Sequence, residues 1–255
     1  MKIMSINIRY INRFDEYSWS DRKNILFDII DDYSPDIIGF QEVMEESLKD
    51  ILTNLIDYDY YGVYRNLDDS REMNPIFYKK SKYALIDSNT LWLSQYPCIR
   101  YSKSWGSSLP RILSYAILES ENENLIVMNT HFDYLSEEAR IKSSKIMLNT
   151  INKLKSQYNY PVIITGDFNT TPNDGYIDIL LNSEDLDNSF NNFDDKDNSL
   201  TIHNFTGDIE GEPIDYIFVD NDLEITDSKI IRKSENNIYP SDHYQVYVEV
   251  QWVKL

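Results

Sequence analysis

Two segments far apart in the chain carry side chains suited to ester hydrolysis. Gly166-Asp167-Phe168-Asn169 follows an apolar run, and Tyr239-Pro240-Ser241-Asp242-His243 precedes a stretch of alternating hydrophobicity. A carboxylate one residue removed from a carboxamide can hold and orient a water, and an acid beside a histidine can hold a cation and a developing negative charge. Together the two clusters read as one metal-assisted hydrolytic site; neither means much alone.

The elements that must position these residues follow from periodicity. Met1 to Ile8 alternates like a strand. A helix is expected from about Ser20, with Ile25, Leu26, Ile29 and Ile30 on neighbouring faces, ending before Ser34-Pro35 because the pre-proline position disfavours helix. Asp36 to Gln41 reads as a buried strand that delivers Glu42 to its carboxyl end, where open α/β sheets commonly place ligands. Further strands are expected around residues 60–64, 76–78, 83–93, 112–118, 125–129, 161–165 and 214–219, and from Tyr244 to Val250. Ser136 is a good N-cap for a long helix carrying Met147, Ile151 and Leu154. Mixed strands with interspersed helices predict an α/β fold of two packed mixed β-sheets flanked by helices, a four-layer α/β sandwich. No linker, composition break or repeat divides the chain, so residues 1–255 are expected to form one catalytic domain. The Asp- and Asn-rich stretch Ser183 to Ser199 lacks the central glycine of a calcium loop and reads as a solvated loop.

With 255 residues, 42% of them hydrophobic, the chain has ample material for a core. A formal net charge of −19 disfavours long nucleic acid, whose binding rests on Lys and Arg contacts to phosphate, although a local basic cleft is compatible with an acidic surface. There is no apolar stretch of transmembrane length, and the fold is expected to begin near Met1 rather than after a signal peptide. The single cysteine, Cys98, suits a reducing compartment, so a cytoplasmic location is expected. Nothing in the sequence bears on oligomeric state.

Five dispersed segments have to be explained together: Ser5-Ile6-Asn7-Ile8-Arg9, Gln41-Glu42, Asn129-Thr130-His131-Phe132-Asp133, Gly166-Asp167-Phe168-Asn169, and Ile214-Asp215-Tyr216-Ile217 with Ser241-Asp242-His243. With Trp92-Leu93-Ser94 and Leu109-Pro110-Arg111, their order resembles the endonuclease/exonuclease/phosphatase family from Asn7 to His243. Singly, each residue has an ordinary explanation. Asn7 can satisfy strand-end backbone groups, Glu42 can be an exposed acid, and His131 can be a core histidine. Asp167 and Asn169 can cap a turn. Asp215 can be a salt-bridge partner, His243 a surface residue, and Arg9 and Arg111 structural. As a set they look like a site for Mg²⁺ or Mn²⁺, hard cations that take oxygen ligands, with Glu42 the foremost ligand and Asn7 and Asp242 assisting directly or through water.

The resemblance implies further roles: phosphate contact by His131, water activation by Asp167 oriented by Asn169, and an Asp215–His243 pair that stabilises charge on phosphorus. Arg9 and Arg111 are candidates for binding substrate phosphate through their fork of donors. His203 lies in a loop before Asp215, where it can reach the same mouth or be a solvated loop histidine, and it is left outside this set. The sequence departs from the family's usual pattern at Gly106, Tyr115 and Tyr134, positions that bear on substrate contacts. The expected activity is metal-dependent hydrolysis of a phosphate mono- or diester, with a small phosphorylated molecule the favoured substrate. Two alternatives stand beside it: a nuclease acting on short DNA or RNA, and a non-catalytic module that binds phosphate or phospholipid.

Overall fold

The computed structural model describes residues 1–68, 71–121 and 124–253. In chain order the elements are β1 (Lys2–Asn7), α1 (Trp19–Tyr33), β2 (Ile37–Gln41), β3 (Val43–Met44), α2 (Glu45–Asn54), β4 (Tyr58–Tyr61), β5 (Glu72–Met73), β6 (Ile76–Lys79), β7 (Ala84–Trp92), β8 (Ile112–Glu119), β9 (Leu125–His131), α3 (Glu137–Tyr158), β10 (Val162–Asp167), α4 (Asp178–Leu181), β11 (Leu186–Asn188), β12 (Asp215–Asp220), β13 (Leu223–Ile231) and β14 (Gln245–Trp252). Two six-stranded sheets form, ordered β13-β14-β1-β2-β6-β4 and β11-β12-β10-β9-β8-β7, while β3 and β5 make a small ladder of their own. Both large sheets are mixed: β1 runs parallel to β2 and antiparallel to β14, and β10 runs parallel to β9 and antiparallel to β12.

The period of two along each strand decides the layers. Ile3, Ile37, Ile76, Val246 and Val248 of the first sheet pack on Val127, Ile163, Ile217 and Val219 of the second, which makes the central core. The alternate residues Met4, Ile6, Ile38 and Phe40 face outward onto Leu26, Ile29 and Ile30 of α1. On the opposite side Met128, Ile164 and Phe218 face Met147, Ile151 and Leu154 of α3. The result is the expected four-layer sandwich, helix on sheet on sheet on helix.

The inward rows change character along their length. Ile3 gives way to Ser5 and Asn7, Ile37 to Gly39 and Gln41, Val127 to Asn129 and His131, Ile163 to Thr165 and Asp167, and Ile217 to Asp215. One end of the sandwich is therefore apolar and the other polar. Between them the sheets lie too close for a side chain at Gly39, where a Cβ would come within 1.8 Å of Thr165 Oγ1 and 2.9 Å of Asn129 Cγ. Gly39→Ala is expected to cost about 3 kcal/mol, the upper part of the overpacking range, by chemical denaturation. A variant within about 0.5 kcal/mol of wild type would contradict this close approach.

Helix α1 starts at Trp19, where the sequence places it to within one residue, with Ser18 N donating to Asp21 Oδ2 (2.9 Å). Helix α2 is not among the expected elements; it buries Ser47, Leu48 and Ile51 of its ten residues. The segment 183–199 is not wholly a solvated loop: it contains β11, and Asn188 and Ser189 are buried against the sheet. No helix among the described residues is long and apolar enough to cross a membrane.

Candidate active site

Strand register brings the chemistry together. Asp167 ends β10 directly opposite His131 on the parallel neighbour β9 and opposite Asp215 on the antiparallel neighbour β12. All three inward side chains thus stand in one row at the polar end of the second sheet. On the first sheet Asn7 pairs with Gln41, and Glu42 follows in a left-handed conformation (φ 62°) that turns the chain out of the strand. Glu42 Oε2 accepts from Tyr10 N (2.7 Å) and Oε1 from Asn7 Nδ2 (3.1 Å). Asn7 Nδ2 also donates to Asp167 Oδ2 (3.0 Å), so one carboxamide ties the two sheets together at the site.

Asp167 is the hub. Its Oδ2 lies 3.4 Å from His131 Nε2 and 3.9 Å from His243 Nε2, and its Oδ1 accepts from Asn169 N (2.9 Å). Burial, and then the neighbouring Asp215 carboxylate, push its proton affinity up to about 7 against the pull of His243. Burial opposes charge on His243, but Asp215 Oδ2, 2.8 Å from Nδ1, and Asp167 outweigh it and raise the imidazole well above its ordinary value. His131 goes the other way: burial, then Arg111 and Arg65, hold it neutral. Three adjacent groups are thus tuned in different directions, an arrangement typical of functional sites. Asn169 adopts φ 50° and donates from Nδ2 to Phe132 O (3.1 Å).

Among the described residues, two groups of side chains bring possible metal-ligating atoms within 4.8 Å of one another: Glu42, His131 and Asp167, and Asp167, Asp215 and His243. Asp242 belongs to neither group. It lies 3.3 Å from Arg9 Nη1, and its proton affinity is raised by burial and by Glu42. The rest of the Arg9 guanidinium is committed to Asp15 through Nε (3.1 Å) and Nη2 (3.0 Å). Arg111 is buried with Nε 3.6 Å from Asp133 Oδ2. His203 is buried rather than solvated, stacked on Tyr244 with ring centroids 3.9 Å apart.

Two supporting networks escaped the sequence reading. Gln41 Nε2 donates to Asn129 Oδ1 (2.8 Å), which also accepts from Thr165 Oγ1 (3.1 Å), while Asn129 Nδ2 donates to Phe40 O (2.7 Å). The available signal was the appearance of Asn129 and Thr165 at inward positions of otherwise apolar strands. Asp133 accepts from Ser107 Oγ, Ser108 N, Ser108 Oγ, Leu135 N and Ser136 N. Burial works against its charge, but bonds from Ser108 and Ser136, with Arg111 nearby, outweigh it and hold the carboxyl at about 2, below the ordinary 3.8. A depressed carboxylate stabilises the fold above its unfolded value and loses that contribution as pH falls through its folded value. Asp133→Asn is therefore expected to be less stable than wild type by about 1.5–3 kcal/mol at neutral pH. The gap should close between about pH 4 and pH 2 in denaturation curves. A gap that does not change with pH would contradict the assignment.

Relatives share this architecture. The mannosyl-6-phosphatase Bt3783 of Bacteroides thetaiotaomicron VPI-5482 superposes with a TM-score of 0.91 at 28% identity, covering 99% of this chain and 100% of that one. The chain is 25% identical over 308 residues to the CCR4-Not complex 3'-5'-exoribonuclease subunit Ccr4 of Mycosarcoma maydis, and 23% identical over 281 residues to the 2',5'-phosphodiesterase 12 of Homo sapiens. Each of these two alignments covers 91% of this chain but 46% of the relative, so the chain spans about half the length of those proteins. The profile of the Endonuclease/Exonuclease/phosphatase family matches residues 4–243, nearly the whole sandwich from β1 to the histidine at the site, and the chain belongs to that family.

Proposed function

We propose that residues 1–255 form one catalytic domain that hydrolyses a phosphate ester by direct attack of water. The observation that carries this reading is the buried Asp167, raised toward neutrality and held between Asn7, His131 and His243, with Asp215 locking His243 in its charged form. A base poised near working pH beside a fixed cationic donor is what in-line displacement at phosphorus requires. Asp167 accepts the proton of the water. Because Asn169 Nδ2 is bonded to Phe132 O, its carboxamide oxygen is left to accept from that water. His131 and Arg111 bind the phosphate, with Arg9 at the mouth, and His243 stabilises the charge that gathers on its oxygens. The new P–O bond forms to the water oxygen. The ester P–O bond breaks with its electron pair, and the departing alkoxide takes a proton from solvent.

The donor set suits a hard divalent cation. Glu42 offers a carboxylate whose oxygen lies within 4.8 Å of the buried Asp167, where burial leaves negative charge to be offset. Glu42 would hold Mg²⁺ or Mn²⁺, with Asn7 and Asp242 assisting directly or through water. When bound, such an ion polarises a phosphate oxygen and neutralises charge in the transition state. Glu42→Gln is expected to raise the half-saturating Mg²⁺ concentration by at least about tenfold. An unchanged metal dependence would exclude Glu42 as a ligand.

A small phosphorylated molecule is the favoured substrate, supported by the net charge of −19 and by the full-length likeness to a mannosyl-6-phosphatase. Cleavage of short oligonucleotides is the second reading, favoured by the similarity to an exoribonuclease subunit and a 2',5'-phosphodiesterase. Purified protein with Mg²⁺ or Mn²⁺ should be assayed against sugar phosphates, matched phosphate diesters and a short oligonucleotide, with chelator as control. Metal-dependent turnover of the small esters is expected. Cleavage of the oligonucleotide alone would establish the nuclease, and metal-dependent binding without turnover would establish a binding module.

A further inference from the structure

Beside the residues assigned above lies a second concentration of buried charge. Arg65 and Glu72 pair at 2.6 Å with side chains only 4% and 9% exposed. Arg65 N also donates to Glu72 O, and Trp92 Nε1 donates to Arg65 O (3.0 Å), which fixes the segment in place. Glu72 lies on β5, whose partner β3 begins immediately after Glu42, so the pair stands in the wall of the site. Arg65 is close enough to Arg111 and to His131 to oppose a positive charge on each. Two guanidiniums and a neutral imidazole thus lie near one another, with Glu72 and Asp133 beside the guanidiniums.

Arg65 Nη2 is claimed by Glu72, but other donors of the two guanidiniums are not. Asp133 balances the charge of Arg111 from 3.6 Å, but its oxygens already accept the five bonds described above. Arg111 Nε and Nη1, Arg65 Nε and His131 Nδ1 are buried and have no hydrogen-bond partner among the described residues. Each buried nitrogen left unpaired is costly, and a native fold tolerates few. The three guanidinium N–H groups among them point to an acceptor that arrives from outside.

We infer that Arg65, together with Arg111 and His131, forms a closed cradle for the terminal, dianionic phosphate of a monoester, and so makes the site selective for monoesters over diesters. This rests on the phosphate-ester reading above and adds the class of ester. A terminal phosphate has three unesterified oxygens and up to two negative charges, enough to face both the cation-binding carboxylates and the guanidinium side. A diester has two such oxygens and one charge, and so offers the cradle one acceptor fewer.

The test is the double variant Arg65→Gln/Glu72→Gln, which replaces the ion pair by neutral amides and leaves no buried charge unpaired; Arg65→Lys serves as a second variant that keeps the charge and loses the fork. With a phosphate monoester and its methyl diester in Mg²⁺, the double variant should lose about 10- to 100-fold in kcat/KM on the monoester. The diester should change less than about threefold, because one fewer oxygen reaches the cradle. Inorganic phosphate, titrated by calorimetry, should bind correspondingly more weakly to either variant. Equal losses on both esters, or an unchanged monoester rate in a folded variant, would overturn the inference. If the wild type hydrolyses neither ester, the hydrolase reading fails, and the cradle then stands or falls on whether wild-type protein binds phosphate through Arg65.

Discussion

Asp167→Asn is expected to lower kcat by about 10²- to 10⁴-fold, the usual worth of a positioned general base, while the protein stays folded. The substitution keeps the shape of the side chain and removes its ability to take a proton. Stability should hold or rise. Burial and Asp215 disfavour the charged carboxylate, so a neutral amide relieves a cost that the wild type carries at neutral pH and above. A folded group whose proton affinity is raised withdraws stability as pH climbs through its folded value, about 7 here, and Asn lacks that dependence. Turnover at saturating substrate and thermal midpoint should be measured together. A variant that loses both would make Asp167 a structural residue, and turnover within about tenfold of wild type would remove it from the mechanism.

The Asp215–His243 pair should behave as one unit. His243→Ala removes the cationic donor and is expected to cost about 10²- to 10³-fold in kcat, the scale found for loss of one oxyanion donor. Asp215→Asn should lose a similar amount for a different reason. Without the carboxylate 2.8 Å from Nδ1, the burial that opposes charge on His243 is no longer outweighed, and the imidazole gives up its proton at lower pH. The alkaline fall in kcat should therefore move to lower pH in Asp215→Asn, and the double variant should be little worse than His243→Ala alone. Multiplying losses would mean that the two residues act separately.

Much of this site could be read along the chain because its residues sit where periodic strands end. The inward positions of β1, β9, β10 and β12 are set by alternation, so Asn7, His131, Asp167 and Asp215 are expected on a common edge before any contact is known. The sandwich follows from the same alternation. What escaped depends on geometry that no local period encodes. Arg65 and Glu72 pair from short, irregular stretches of sequence. Asp242 is adjacent to His243 in sequence, yet its carboxylate turns to Arg9. His203 lies outside any periodic strand or helix pattern, but Tyr239 and Tyr244 cover its ring. The Gln41–Asn129–Thr165 network needs Gly39 to let the sheets approach, a requirement that emerges only when both sheets are in place.

Hydrolysis of a small phosphate ester in ¹⁸O-labelled water, followed by mass analysis of both products after a single turnover, tests water attack at phosphorus most directly. One labelled oxygen is expected in the released phosphate and none in the alcohol, with label uptake lost in Asp167→Asn and in chelator. Label in the alcohol, or phosphate release that is unaffected by loss of Asp167, would contradict it.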